Sequence, residues 1–153
     1  MMKRDPRKLL DQLLKKKGSE AVGSILEELL NEATTRNETL TIVANAGVHA
    51  IPKQYLRGEV FEASRGDWNI SSQQALVEEL KTILSNLVIK LRSKPWQRVY
   101  LVPTGHPILS LQIKTMVYRV LRINTIDLYH KSGSYLEVDI DQRAIAIETV
   151  KGS

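Results

Sequence analysis

The residues best suited to hold a ligand form the run Val102-Pro103-Thr104-Gly105-His106-Pro107. A short β-branched and aromatic stretch, Val99–Val102, stops at Pro103 and turns through Thr104-Gly105-His106. It restarts at Pro107 as a long apolar helix reaching Arg122. At such a join the first helical N–H groups lack intrahelical partners and carry the positive end of the helix dipole, which suits phosphates and other anions. Pro107 fits the first helical position, which leaves the N–H groups of Ile108 and Leu109 as the expected donors. Thr104 adds a hydroxyl, and Gly105 permits close backbone approach. His106 is the side chain best placed to move a proton or touch a phosphate. The same run also reads as a good turn and helix start that binds nothing.

A second loop of this type, Asn45-Ala46-Gly47-Val48, ends the apolar stretch Thr39–Ala44. In open parallel sheets, ligands sit beyond the carboxyl ends of strands whose crossovers diverge. If the two strands are neighbours, both loops line one crevice. Lys114, about two turns into the helix, reaches an anion there only by leaning back toward the helix start. A solvated lysine is the simpler reading. His49, His106 and His130 lack the paired spacing of metal ligands, so no metal site is expected. Glu137, Asp139 and Asp141 alternate as the wet face of a strand would. Trp68, in the loop Arg65–Asn69, could stack on a base, although packing on the next helix is commoner. Tyr55 and Arg57 could join the same rim. The chain contains neither G-x-x-x-x-G-K-[ST] nor G-x-G-x-x-G. That disfavours ordinary NTP and dinucleotide cofactors; no cofactor is expected.

The elements that would position these residues follow from hydrophobic period. Residues 6–17 and 19–33 read as two helices, with Leu9, Leu10, Leu13 and Leu14 on one stripe and Val22, Ile25, Leu26, Leu29 and Leu30 on the other. Thr34–Glu38 reads as a polar break. Strands are expected at Thr39–Ala44, Glu59–Ala63, Val99–Val102 and Thr125–Tyr129, with a helix from Ser71 or Ser72 to about Arg92. Alternation of this kind implies right-handed crossovers and an α/β, Rossmann-like, mostly parallel sheet flanked by helices. After the turn Ser132-Gly133-Ser134, the segments Tyr135–Ile140 and Ala144–Glu148 alternate with period two and read as an antiparallel hairpin. The organisation expected is a helical segment, residues 1–38, followed by the Rossmann-like domain, residues 39–153.

Length and composition narrow the function classes. The 153 residues suffice for one well-cored domain, and the absence of cysteine removes disulfides, thiol nucleophiles and thiolate metal sites. No stretch approaches the roughly 20 apolar residues that span a bilayer, and no signal-peptide pattern opens the chain, so a cytoplasmic protein without membrane contact is expected. Residues 1–17 carry seven Lys/Arg against Asp5 and Asp11, whereas residues 18–38 carry Arg36 against five glutamates. The basic arm could meet nucleic acid, but no base-reading motif accompanies it. Two solvated helices of opposite charge, pairing within a dimer, are the simpler reading.

The order strand, N-A-G loop, strand, helix, strand ending P-T-G-H-P, helix, T-I-D-L-Y strand and terminal hairpin resembles the CARF and SAVED domains. These are Rossmann-like sensors of cyclic oligonucleotides in type III CRISPR and related antiphage systems. The likeness spans residues 39–149 and is architectural, with Val102–Pro107 its one motif-like piece. It implies a homodimer whose two copies enclose a symmetric cleft. In that cleft Asn45, Ala46, Gly47 and Val48, with Thr104, Gly105 and His106, would hold a cyclic oligoadenylate-type ligand, and Lys114 could touch its phosphates. No effector segment is recognisable, so such a sensor would act through an effector protein. A metal-independent ring nuclease is the enzymatic alternative. There the cleft would orient a ribose 2′-hydroxyl on its own phosphate, with His106 and Lys114 as catalytic groups. A regulatory module docking through the N-terminal helices is the third reading.

Overall fold

A computed structural model describes residues 5–151, and the chain divides into two compact units at Thr35 and Arg36. The first unit is helical. Helix α1, Pro6–Lys17, starts where the Asp5 carboxylate accepts the Arg7 N–H at 3.0 Å, with Pro6 in its first turn. It ends where the Gly18 N–H returns to Leu14 O. Helix α2, Ser19–Asn37, runs through residues expected to be a polar break. No glycine or proline interrupts Thr34–Asn37, so nothing in the backbone stops the helix there.

The second unit is an α/β sheet of five strands in the order β2-β1-β3-β4-β5. Strand β1 is Thr39–Ala46, β2 is Glu59–Arg65 and β3 is Arg98–Val102. Strand β4, Ile126–Lys131, completes the parallel set, and β5, Ser134–Val138, pairs antiparallel with β4. All eight residues of β1 are buried, because it lies inside the sheet with a parallel neighbour on each side and both faces covered.

Period two divides the strands between two clusters. Leu40, Ile42, Ala44, Val99 and Leu101 pack on helices α3, Gln73–Arg92, and α4, Pro107–Leu121. Leu87 and Leu91 of α3 and Leu109, Ile113 and Val117 of α4 are fully buried there. Each such side chain contributes about 1.5–3 kcal/mol of burial. Val43, Tyr100, Val102 and Leu128 face the other way, under Ile51, Tyr55 and Leu56 of the β1–β2 connection. That connection holds only a short 3-10 turn, Lys53–Tyr55.

Helix ends are set by side chains. The Ser72 hydroxyl accepts the Ala75 N–H at 3.1 Å to open α3, and the Trp96 indole N–H donates to Lys90 O at 3.1 Å near its close. Glu59 of β2 pairs with Lys90 and Lys94, which binds the edge strand to α3. Trp68 is buried in the main cluster and donates to Ser64 Oγ at 3.3 Å, so it is a packing residue.

The carboxyl-terminal region differs from expectation in its pairing. The antiparallel hairpin is formed by β4 and β5, and Ala144–Glu148 is no strand but part of helix α5, Gln142–Lys151. Asp141 opens that helix by accepting the N–H groups of both Arg143 and Ala144 at 3.0 Å. Asp139 lies outside β5, so Glu137, Asp139 and Asp141 do not share one strand face.

Candidate functional site

The site is built where β1 and β3 end. From β1 the chain crosses to β2 on one side, and from β3 it crosses to β4 on the other, so the connections diverge between these two strands. Their ladder runs as far as Val43 opposite Val102. Pro103 has no N–H to continue it. The Thr104 hydroxyl takes over: it accepts the Asn45 N–H at 3.1 Å and donates to Asn45 O at 2.7 Å. The ends of β1 and β3, which pair as neighbours in the sheet, are therefore joined directly.

Gly105 sits against Asn45. Its φ is +81°, and a Cβ there would lie 2.7 Å from Asn45 Cβ. Glycine answers both demands, since it has no side chain to collide and tolerates the left-handed region. Asn45 in turn donates from Nδ2 to Gly66 O at 3.0 Å, and Gly66 N–H donates to Ala46 O at 3.3 Å. A third loop, after β2, thus joins the other two. The Asn45 Oδ1 atom is buried with no hydrogen-bond partner among the described residues.

The start of α4 is partly satisfied from within. The Leu109 N–H donates to His106 O at 3.0 Å, so it is not the free donor expected from sequence. The N–H groups of Gly105, His106 and Ile108 have no backbone acceptor among the described residues. His106 itself makes no capping bond; its ring lies 5.0 Å from that of Trp68.

A hollow of about 940 Å³ opens beside these loops, lined by His49, Thr104, Gly105, Tyr129, His130 and Tyr135 among others. Val48 borders it, whereas Asn45, Ala46, Gly47 and His106 do not. Tyr129 is 60% exposed and offers a ring face; the Tyr135 ring packs against His130 at 5.1 Å and Tyr55 at 4.9 Å. Among the described residues no lysine or arginine lines the hollow. What the arrangement offers chemically is hydroxyls, imidazoles, aromatic faces and backbone N–H groups.

Several candidates lie elsewhere. Lys114 pairs with Asp127, which also accepts the Thr125 hydroxyl at 2.7 Å, and borders a separate hollow of about 680 Å³ between α4 and β4. Arg57 binds the Tyr100 hydroxyl at 2.8 Å and pairs with Glu137, which draws it away from the loops. Both contacts hold the guanidinium in its charged form, the Glu137 bond most strongly, and raise its pKa. Among the described residues no three His, Asp or Glu side chains gather as a metal set.

Sequence reasoning missed Tyr129, His130 and Tyr135 as lining residues. The signal was available in part: Tyr129 and His130 end a strand next to β3, and a Ser132-Gly133 hairpin returns Tyr135 beside them.

The fold and these loops define an α/β domain with a topological switch point, the usual ligand position of open parallel sheets. Searches against protein-family models, curated proteins and solved structures find no match for the chain. Among the described residues no helix is long and apolar enough to cross a membrane.

Proposed function

We propose that this chain is a cytoplasmic binding module for a cyclic oligonucleotide of the oligoadenylate type, working as a homodimer in antiviral defence through an effector protein. The observation that carries the reading is the double bond-pair between Thr104 and Asn45. It fixes two loops as one surface at the switch point, where a two-fold partner would complete a cleft matched to a symmetric ring. Tyr129 supplies a face for a nucleobase, and the Gly105 N–H, which has no backbone acceptor among the described residues, supplies a donor for a phosphate oxygen. The unmet Asn45 acceptor marks a spot where the fold's own hydrogen bonding is incomplete.

Binding is favoured over ring cleavage by position. Neither Lys114 nor His106 lines the hollow, and Lys114 is committed to Asp127. The test is thermal melting and calorimetry with cyclic tetra- and hexaadenylate, cyclic dinucleotides and linear oligoadenylate. A ligand present at 100 times its Kd should add about 2.7 kcal/mol of stability. Linear products after incubation would shift the reading to a ring nuclease. No response to any cyclic oligonucleotide at millimolar concentration would end it.

A further inference from the structure

We infer that the N-terminal helix pair is a self-association device, in which α1 of one copy packs against α2 of a second copy of this chain. At helical spacing, Leu9, Leu10, Leu13 and Leu14 form one stripe on α1, and each is between 37 and 44% exposed. On α2, Ile25, Leu26 and Leu29 form another, between 38 and 55% exposed. Two short helices that leave such stripes in water are expected to gain a covering partner.

Charge identifies the partner. Within Pro6–Lys17, α1 carries Arg7, Lys8, Lys15, Lys16 and Lys17 against Asp11 alone. Within Ser19–Asn37, α2 carries Glu20, Glu27, Glu28 and Glu32 against Arg36 alone. At about 100° per residue, Arg7 and Lys16 border the α1 stripe and Lys17 continues it past Leu14, while Glu32, with Glu28 beside it, borders that of α2. A two-fold pairing is self-complementary, so basic α1 meets acidic α2 twice in the same interface. The like pairing, α1 on α1, would set cations against cations. Helix α1 has 12 residues and α2 has 19. The inference needs no ligand and stands whether or not the sheet-end cleft binds a cyclic oligonucleotide.

The test exchanges the border charges in the full chain. R7E/K16E/K17E makes both helices acidic, and E28K/E32K makes both basic. Sedimentation at about 100 μM, a hundred times a micromolar Kd, should show the wild type as a dimer. Each variant alone should become largely monomeric, its Kd raised by about a thousand-fold through like-charge contact made twice in the interface. An equimolar mixture should recover the dimer as a heterodimer, because each acidic helix then meets a basic one. L13Q and L29Q, also at exposed positions, should each weaken the dimer. A monomeric wild type, variants that remain dimers, or a mixture that stays monomeric would each overturn the inference.

Discussion

Thr104 completes the strand pairing of Asn45 with its side chain, accepting at 3.1 Å and donating at 2.7 Å where Pro103 has broken the backbone ladder. Both partners are buried, so no water stands ready to replace either bond. Thr104→Val keeps the shape and removes the hydroxyl, which leaves a donor and an acceptor of Asn45 unmet. The expected loss is about 2–6 kcal/mol, at roughly 1–3 for each of the two stranded groups. Urea titration measures it, with Thr104→Ser as a control that keeps both bonds. A Thr104→Val protein as stable as the wild type would show that this bond-pair does not hold the loops.

Gly105→Ala places a methyl 2.7 Å from Asn45 Cβ at a φ of +81°. The left-handed backbone alone costs about 1–2 kcal/mol for a residue with a side chain. Crowding against Asn45 adds to it, since that residue is also held by Gly66. The variant should melt earlier and, in its folded fraction, bind cyclic oligonucleotide more weakly. Unchanged stability would mean the loop relaxes freely away from Asn45.

Glu59 reports on the attachment of β2. Its carboxyl is held below the ordinary value of 4.5, first by the Lys90 hydrogen bond and then by that of Lys94, at 2.6 Å. A lowered folded-state pKa means the unfolded chain binds the proton more readily. The stabilisation is therefore complete above the unfolded pKa and is lost as pH falls through the folded one. The stability gap between wild type and Glu59→Gln should be flat above about pH 5.5 and close on acidification. A gap that widened toward low pH would contradict the pairing.

Arg57 clamps the β1–β2 connection to the sheet through Tyr100 and Glu137, with its guanidinium 4.8 Å from the Tyr100 ring centre. Arg57→Met should cost about 1 kcal/mol, a modest figure because the ion pair is partly exposed. Hydrogen exchange is the sharper readout: amides of β5 should open faster while those of β1 stay protected. Arg57→Lys should behave like Arg57→Met, since an ammonium cannot span both partners as a planar fork does. Equal protection of β5 in the wild type and both variants would dismiss the clamp.

What can be read without coordinates is set by burial on both faces. Leu40 to Ala44 is a nearly continuous apolar run, which a central parallel strand requires, and the amphipathic stretches before and after β3 have the length only helices reach. The Thr104-Gly105 turn is legible as a loop over a helix start because Pro and Gly punctuate it. Ala144–Glu148 misleads because so short an alternation fits a strand and a helix equally. The deciding signal is Asp141, whose carboxylate caps the backbone two and three residues on. The hairpin turn is visible at Ser132-Gly133, where φ is +49° at Ser132 and +82° at Gly133. Two successive left-handed residues make the tight turn favoured between antiparallel strands. The alternating segment downstream of β5 draws the expected pairing away from β4, which is its actual partner. The side chains lining the hollow are less legible, because they depend on which strands become neighbours across long stretches of chain.

The placement of β1 inside the sheet sets an order of events during synthesis. Leu40 meets Glu59 on one side and Val99 on the other, and the Asn45–Thr104 bonds join positions 59 residues apart. At translation speeds of roughly 5–20 residues per second, the ribosome needs about 3–12 s to deliver the second neighbour. For that interval one flank of the most buried strand lies open, with unpaired amides that any passing extended chain could zip onto. The corner that joins Asn45 to Thr104 thus cannot exist until β3 has emerged, and a nascent chain stalled before β3 has no such corner at all.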